Sequence, residues 1–186
     1  DNTLEVAEGN TDMCSRIAHL RDYIDYLRTQ IMSAVINLTN RDISVEDAAH
    51  VAILARVTDL SALMAHQMTS MARSFEQMNE KKITLSPESL RGIEEMAALC
   101  RENTEQLIGV FPEMPEYIDK EMRSNDELLR QVLNWHYKTY LIQLVAKSSS
   151  GGIFSDILFS FERIGSIIRE LRKTSKTMGI PASAVH

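Results

Sequence analysis

The sequence predicts an all-α protein, an elongated bundle of about five long helices. Apolar residues recur at intervals of three and four through most of the chain, whereas the alternation typical of strands is nearly absent. The four Pro residues and the Gly151–Gly152 pair fall between the periodic segments. A chain of 186 residues is long enough to bury a sizeable core, so we expect a single domain over residues 1–186.

The first helix is predicted from about Thr11 to Thr39. Its apolar residues follow one face, which we expect to be buried against the rest of the bundle. We call them the first-helix stripe: Ile17, Leu20, Ile24, Leu27, Ile31, Val35 and Leu38.

The second helix is predicted over Val45–Glu80, with Ser44 as its N-cap and Asp47 in the place of a capping-box partner. This segment contains neither Pro nor Gly, and at 1.5 Å per residue it would reach about 50 Å. Such a length predicts a long bundle. Its methionines are expected to fill the bundle's own interior, and the alternative is a face for a partner.

Three further helices complete the prediction. The third helix, 86–111, begins at a Ser-Pro pair and ends at the stiff corner 112–115, which carries two prolines. The fourth is predicted over about 116–147, the SSSGG segment 148–152 forms a turn, and the fifth covers about 153–177. Basic residues near the end of the fifth helix suit the negative end of its dipole: Arg169, Arg172, Lys173 and Lys176.

Composition and charge exclude several classes of function. Twenty Lys and Arg against twenty-six Asp and Glu leave a net charge of −6, so we expect no nucleic-acid partner. Cys14 and Cys100 form no C-x-x-C pair, and we expect both thiols to be reduced. No apolar run approaches the roughly 20 residues that span a bilayer, so a soluble piece is expected.

Sequence motifs for catalysis are missing. The chain contains no H-E-x-x-H, G-x-S-x-G, Walker A or G-x-G-x-x-G pattern, and no Glu-x-x-His of the kind that holds two metals in carboxylate bundles. Glu46 and His50 are spaced as helix neighbours, which we interpret as a surface pair. We therefore expect no catalytic residues, with a metal-binding helical-bundle enzyme as an alternative.

The chain carries a faint internal repeat. An offset of about one hundred residues places the fourth helix on the first and the fifth on the second. It aligns Asp25 with Asp126 and Ile53 with Phe154, for example. The predicted pseudo-repeats cover about 11–80 and 116–178, joined by helix 86–111.

The most distinctive segment is FSFERIGSIIREL, at 159–171. Glycine in a helix interior lowers helix stability by about 1 kcal/mol relative to alanine, so Gly165 should have a compensating role. We expect that role to be a close helix crossing, which its missing side chain allows. Glu162 and Ser166 are four residues apart and share a helix face, with Arg163 beside them.

This segment resembles the signature of the PhoU family, whose repeats end in a helix reading approximately N-D-L-E-R-I-G-D. Residues 162–165 match the Glu-Arg-Ile-Gly of that signature, while Ser160 and Ser166 stand where the family has aspartates. In the first repeat the corresponding stretch is 58–65, which keeps Asp59. The order of helices is also similar to PhoU, in which two three-helix units each end in the motif helix.

The resemblance implies a degenerate PhoU-like site made of Asp59, Glu162, Arg163, Gly165 and Ser166. In PhoU proteins the motif carboxylates hold clusters of divalent or iron cations, as oxygen ligands do. Because most of those carboxylates are replaced here, we expect no cofactor and at most weak divalent-cation binding.

Five helices instead of six imply that the first unit lacks its leading helix, which is expected upstream of Asp1. This organisation is similar to the PhoU-like domain at the cytoplasmic C-terminus of bacterial sodium/phosphate cotransporters. The resemblance implies a non-catalytic regulatory domain on the cytoplasmic side of the inner membrane. Its expected partners are the membrane part of the transporter and a second copy of the chain.

Two further alternatives stay open at the level of sequence. The chain could instead be a free-standing PhoU-type regulator of phosphate uptake signalling, or a helical sensor domain built as one continuous antiparallel hairpin. Membrane-spanning segments upstream of Asp1 in the parent reading frame would favour the transporter domain over the free-standing regulator.

Overall fold

Five α-helices build the part of the chain that the structure, a computed structural model, describes, namely residues 12–145 and 151–178. No strand occurs within those two ranges, so the all-α prediction is confirmed. The helices are α1 Asp12–Thr39, α2 Val45–Glu80, α3 Pro87–Val110, α4 Glu116–Val145 and α5 Gly151–Met178.

The predicted helix starts at α2 and α3 are confirmed by their caps. The Ser44 hydroxyl accepts a hydrogen bond from the Asp47 amide at 3.0 Å, and the Ser86 hydroxyl accepts one from the Ser89 amide at 3.1 Å. Each cap satisfies an amide that the first helical turn leaves without an intrahelical partner.

The predicted SSSGG turn is wrong in part, because α5 already begins at Gly151. The amides of the first turn make no intrahelical hydrogen bond, and the full cost of glycine applies to helix interiors, so two glycines are tolerated better at a helix start. Residues 148–150 of that turn lie outside the described residues, as do residues 146 and 147 of the predicted fourth helix.

Helix α5 lies at the centre of the bundle, where it packs against α2, α3 and α4. Helices α1 and α2 form an antiparallel hairpin in which Cys14 lies beside Ala72 and Arg28 beside Asp59. The core is filled mainly by the three neighbours of α5 and by α5 itself. Fully buried large side chains include Phe75, Met96, Met122, Ile157, Leu158 and Ile168.

The first-helix stripe departs from its prediction. Ile17 is buried, but Leu20, Leu27, Ile31 and Leu38 are 48%, 37%, 40% and 42% exposed. The reason is that α1 packs extensively against α2 alone, and a helix with one neighbour buries only a narrow strip of its surface. The apolar face is real, but the described part of the chain does not cover it.

Helix α2 is unusually apolar for its exposure. Among the described residues it is the one helix long and apolar enough to cross a membrane by length and composition, with a mean hydropathy of 1.4 over an 18-residue window. Only 22% of that window is buried. Core helices of soluble proteins also meet this length and composition criterion, so the informative observation is the uncovered apolar surface.

Two glycines make room for a side chain of α4. A Cβ on Gly165 would lie 2.6 Å from Leu129 Cδ2, so the end of the Leu129 side chain packs where that Cβ would be. A Cβ on Gly92 would lie 1.7 Å from His136 Nε2, within the space of the imidazole ring. Burial lowers the pKa of His136 despite the opposing effects of Glu95 and Glu88, so the ring packs against α3 in its neutral form.

The Gly92–His136 contact predicts a coupled pair of mutations. Gly92→Ala should lower the free energy of unfolding by about 3 kcal/mol, because the new methyl overlaps a buried ring. In a His136→Ala background the same substitution should instead stabilise by about 1 kcal/mol, since alanine is the better helix former. Urea unfolding of the four proteins measures this double-mutant cycle, and an equal cost in both backgrounds would contradict the crossing.

Candidate functional site: an apolar groove beside helix α1

An apolar groove of about 660 Å³ lies between α1 and α3, with α2 as its floor and Leu171 of α5 at one side. Its volume falls within the range of about 300–1,000 Å³ that is usual for binding sites. Helix α2 lines it from Val57 to Met68. The main apolar contributors from the two flanking helices are Ile17, Leu20, Ile24, Leu107, Ile108 and Phe111.

The few polar groups of the groove are already occupied. The Ser61 hydroxyl donates to the Val57 carbonyl at 2.9 Å, and the Thr104 hydroxyl donates to the Cys100 carbonyl at 2.8 Å. Among the described residues, Arg21 is the single charged one that lines the groove, and its guanidinium bonds Asp22. The groove therefore offers apolar surface and no acid–base pair for catalysis.

Exposed polar contacts also attach α1 to α2. Arg28 Nε lies 2.7 Å from Asp59 Oδ1, and His66 Nε2 lies 3.3 Å from Asp25 Oδ1. Exposed pairs of this kind contribute about 0–1 kcal/mol each. The hairpin is thus joined partly by polar contacts, while much of its apolar surface faces outward.

The residues of the degenerate motif do not form one cluster. Asp59 binds Arg28 of α1, whereas Glu162 accepts a hydrogen bond from the Tyr137 hydroxyl of α4 at 3.2 Å. Burial, followed by the charge of Glu162, raises the pKa of Tyr137 to about 12, so this phenol stays protonated and donates. Ser166 is exposed on α5.

The remaining motif residues have local roles. The Arg163 guanidinium lies 5.2 Å from the centroid of the Phe159 ring on the surface of α5, and Gly165 admits Leu129 of α4. Within residues 12–145 and 151–178, no group of three or more His, Cys, Asp or Glu side chains is arranged to hold a metal ion. Glu46 and His50 are both exposed on α2.

The sequence interpretation missed a buried ionic cluster between α4 and α5. Arg172 is only 6% exposed, and its guanidinium bonds Asp119, which is 4% exposed. Lys176 and Arg123 also bond Asp119, at 3.0 and 2.8 Å. Arg172 therefore serves as an interior partner of a carboxylate, and the prediction that it simply suits the helix dipole was incomplete.

The same cluster extends to α3 through Asn103, which is buried. Its amide nitrogen donates to Asp126 Oδ1 at 3.2 Å and to the Met122 carbonyl at 3.3 Å, while its amide oxygen accepts from Asn125 at 3.1 Å. Asp126 also lies 3.6 Å from Arg169. A signal for this cluster was present in the sequence, because Asp119 and Asp126 are seven residues apart and share a helix face.

Burial and the neighbouring cations act in opposite directions on the pKa of the two carboxylates in the cluster. Burial alone would raise the pKa of Asp119, but hydrogen bonds from Lys176, Arg123 and Arg172 outweigh it and lower the pKa to about 2. At Asp126 burial prevails over the nearby Arg169 and Arg172, and the pKa is raised. Arg123 bonds Asp119 within α4, and the other charges of the cluster join α4 to α5, so we assign the cluster a structural role.

A scan against protein-family models, a search of the curated proteins and a search of the solved structures each find no match to this chain. The class of protein defined by the fold is an all-α helical bundle. Any assignment beyond that class has to come from the chain's own residues and their geometry.

The ionic cluster predicts a specific acid sensitivity. The Asp119 carboxylate has a pKa of about 2 in the folded protein against 3.8 as the ordinary value, so it stabilises the fold above pH 3.8. That contribution, about 2 kcal/mol, should be lost as the pH falls through 2. Urea unfolding between pH 5 and pH 2 should therefore show a shallower loss of stability in Asp119→Asn than in the exposed-site control Asp42→Asn. Identical profiles would contradict the role of Asp119.

Proposed function

We propose that this chain is a non-catalytic, PhoU-like regulatory domain that acts by contact on a phosphate-transporting membrane protein of the sodium/phosphate cotransporter type. Its working position would be the cytoplasmic side of the inner membrane. The observation that carries the proposal is the uncovered apolar face of the α1–α2 hairpin, which borders a groove ready for another element. The motif resemblance at residues 162–165 supplies the link to phosphate transport.

Similar packing in the two hairpins supports the two-unit organisation. In the first hairpin, Asp25 of α1 contacts His66 of α2. The predicted offset of about one hundred residues carries this contact to positions 126 and 167, and Asp126 does contact Arg169, two residues further on. The helices that end the two proposed units, α2 and α5, also pack against each other.

The position of α3 supports an incomplete first unit. Gln106 of α3 donates a hydrogen bond to Glu121 of α4, and Asn103 of α3 accepts one from Asn125 of α4. The same offset carries those two α4 positions to Leu20 and Ile24 of α1, and both line the groove. Under the predicted offset, the groove corresponds on the first hairpin to the place that α3 occupies on the second.

Contact is also the mechanism that the chemistry of this face supports. The groove presents apolar side chains and hydroxyls that are bonded within their own helices, which suits the burial of a partner's apolar surface. A partner that binds this face in one transport state more tightly than in another would shift the balance between those states. No bond needs to be made or broken for such regulation.

The proposed function predicts an effect of the first-helix stripe on transport. Leu27→Asp in the full-length protein should abolish the domain's effect on sodium-dependent phosphate uptake, because a carboxylate would have to be buried at the contact. The matched control is Tyr117→Asp, which alters a side chain 69% exposed on α4 that does not line the groove. Uptake of radiolabelled phosphate by cells measures both. Equal effects of the two variants, or no effect of Leu27→Asp, would contradict the proposal.

The degenerate motif makes a second prediction. Purified protein should carry well below one equivalent of iron, zinc or manganese, and Glu162→Ala should leave that content unchanged, because the remaining carboxylates are too few to neutralise a cluster. Elemental analysis by inductively coupled plasma mass spectrometry checks this. Stoichiometric metal that Glu162→Ala removes would instead favour a metal-dependent bundle.

A further inference from the structure

The first-helix stripe has the spacing of a coiled-coil seam. From Ile17 its members follow at alternating intervals of three and four through Leu20, Ile24, Leu27 and Ile31, the period of about 3.5 residues that keeps a seam facing one partner helix. Two polar contacts join α1 to α2, the Arg28–Asp59 ion pair and the Asp25–His66 contact. Helix α1 packs into the core with Ile17 and Cys14 near its start and leaves much of the rest of its apolar seam uncovered.

The charges beside the seam indicate which partner fits. The charged residues at the positions that flank a coiled-coil seam are Arg16, Arg21 and Arg28, and none of those flanking positions carries Asp or Glu. Arg21 and Arg28 contact Asp22 and Asp59 only in exposed pairs, which are weak. A partner with carboxylates at its own flanking positions would therefore be attracted.

A second copy of the chain fits this seam poorly. Antiparallel pairing of two α1 helices would bring Arg21 of each copy close to Arg28 of the other, and parallel pairing would bring Arg16 close to Arg21. Both arrangements place like charges together at the edge of the contact, which lowers affinity.

The chain contains an example of the helix that would fit. Helix α3 is amphipathic and acidic, with five Glu against two Arg over Pro87–Val110, and it covers the face of α4 that corresponds to the groove side of α1. Its residues Leu107 and Ile108, with Phe111 just after its end, also form the opposite wall of the groove.

We propose that the groove and the first-helix stripe bind an acidic amphipathic helix, with its apolar residues in the seam and its glutamates beside Arg16, Arg21 and Arg28. This inference rests on the proposed function in that the chain acts by contact, and it adds the chemistry of the contact. The bound helix would complete a three-helix unit with α1 and α2, as α3 does with α4 and α5.

The test uses a fluorescent synthetic peptide with the sequence of residues 87–110, titrated into the intact chain and followed by anisotropy. We expect saturable binding that weakens as salt rises, because opposite charges contribute. Leu27→Asp should weaken binding at least tenfold, Arg16→Glu severalfold, and the control Tyr117→Asp not at all. A matched peptide in which all five Glu are replaced by Gln should bind at least tenfold more weakly. Circular dichroism verifies that each variant is folded.

Several results would overturn the inference. The first is no binding of the peptide, and the second is binding of the Gln peptide as tight as that of the Glu peptide. The third is binding to Leu27→Asp as tight as to the unchanged chain, which would mean that the peptide replaces α3 in its own position. A dimer in size-exclusion chromatography with light scattering that Leu27→Asp converts to a monomer would assign the seam to a second copy. If the peptide fails while Leu27→Asp still abolishes the effect on uptake, the contact function stands with a partner of other chemistry. If the peptide binds as expected but uptake is unaffected, the proposed function fails and the binding site stands.

Discussion

The fold depends on one constraint, which is that α5 has to pack against three helices at once. Its buried face is therefore wide, although Glu162, Arg163 and Ser166 stay exposed on the other side, and the charged residue that enters the interior must find a partner there. Arg172 meets this demand through the Asp119 carboxylate, and Asn103 links the neighbouring Asp126 to α3. Removal of one member of such a buried pair leaves an uncompensated charge, which is far more costly than the pair itself is stabilising.

Helix α1, in contrast to α5, has one main helix neighbour. It packs extensively against one neighbour, so its apolar seam stays open while the corresponding face of α4 is covered by α3. The apolar window of α2 is also little buried, although α2 packs against both α1 and α5. Exposing an apolar surface of this kind to water is unfavourable, and such surfaces mark interaction sites, so we infer that a partner covers it.

Local signals in the sequence predict the helices well. Caps at Ser44 and Ser86 define two helix starts to the residue, and periodicity defines the apolar faces. Which neighbour covers a face is decided by tertiary packing, so the exposure of Leu27 could not be predicted from α1 itself. The burial of Arg172 was missed for the same reason, since it depends on where α4 brings Asp119. The motif residues Asp59 and Glu162 were predicted as one site from a resemblance, and each instead binds a different helix.

Electron cryomicroscopy of the chain bound to the membrane protein on which it acts tests the central claim most directly. We predict density for an additional helix that lies along α1 and α2 and covers Leu20, Leu27 and Ile31, so that both hairpins end as three-helix units. A reconstruction in which the membrane protein contacts the chain elsewhere and this face of α1 stays open to solvent would contradict the account.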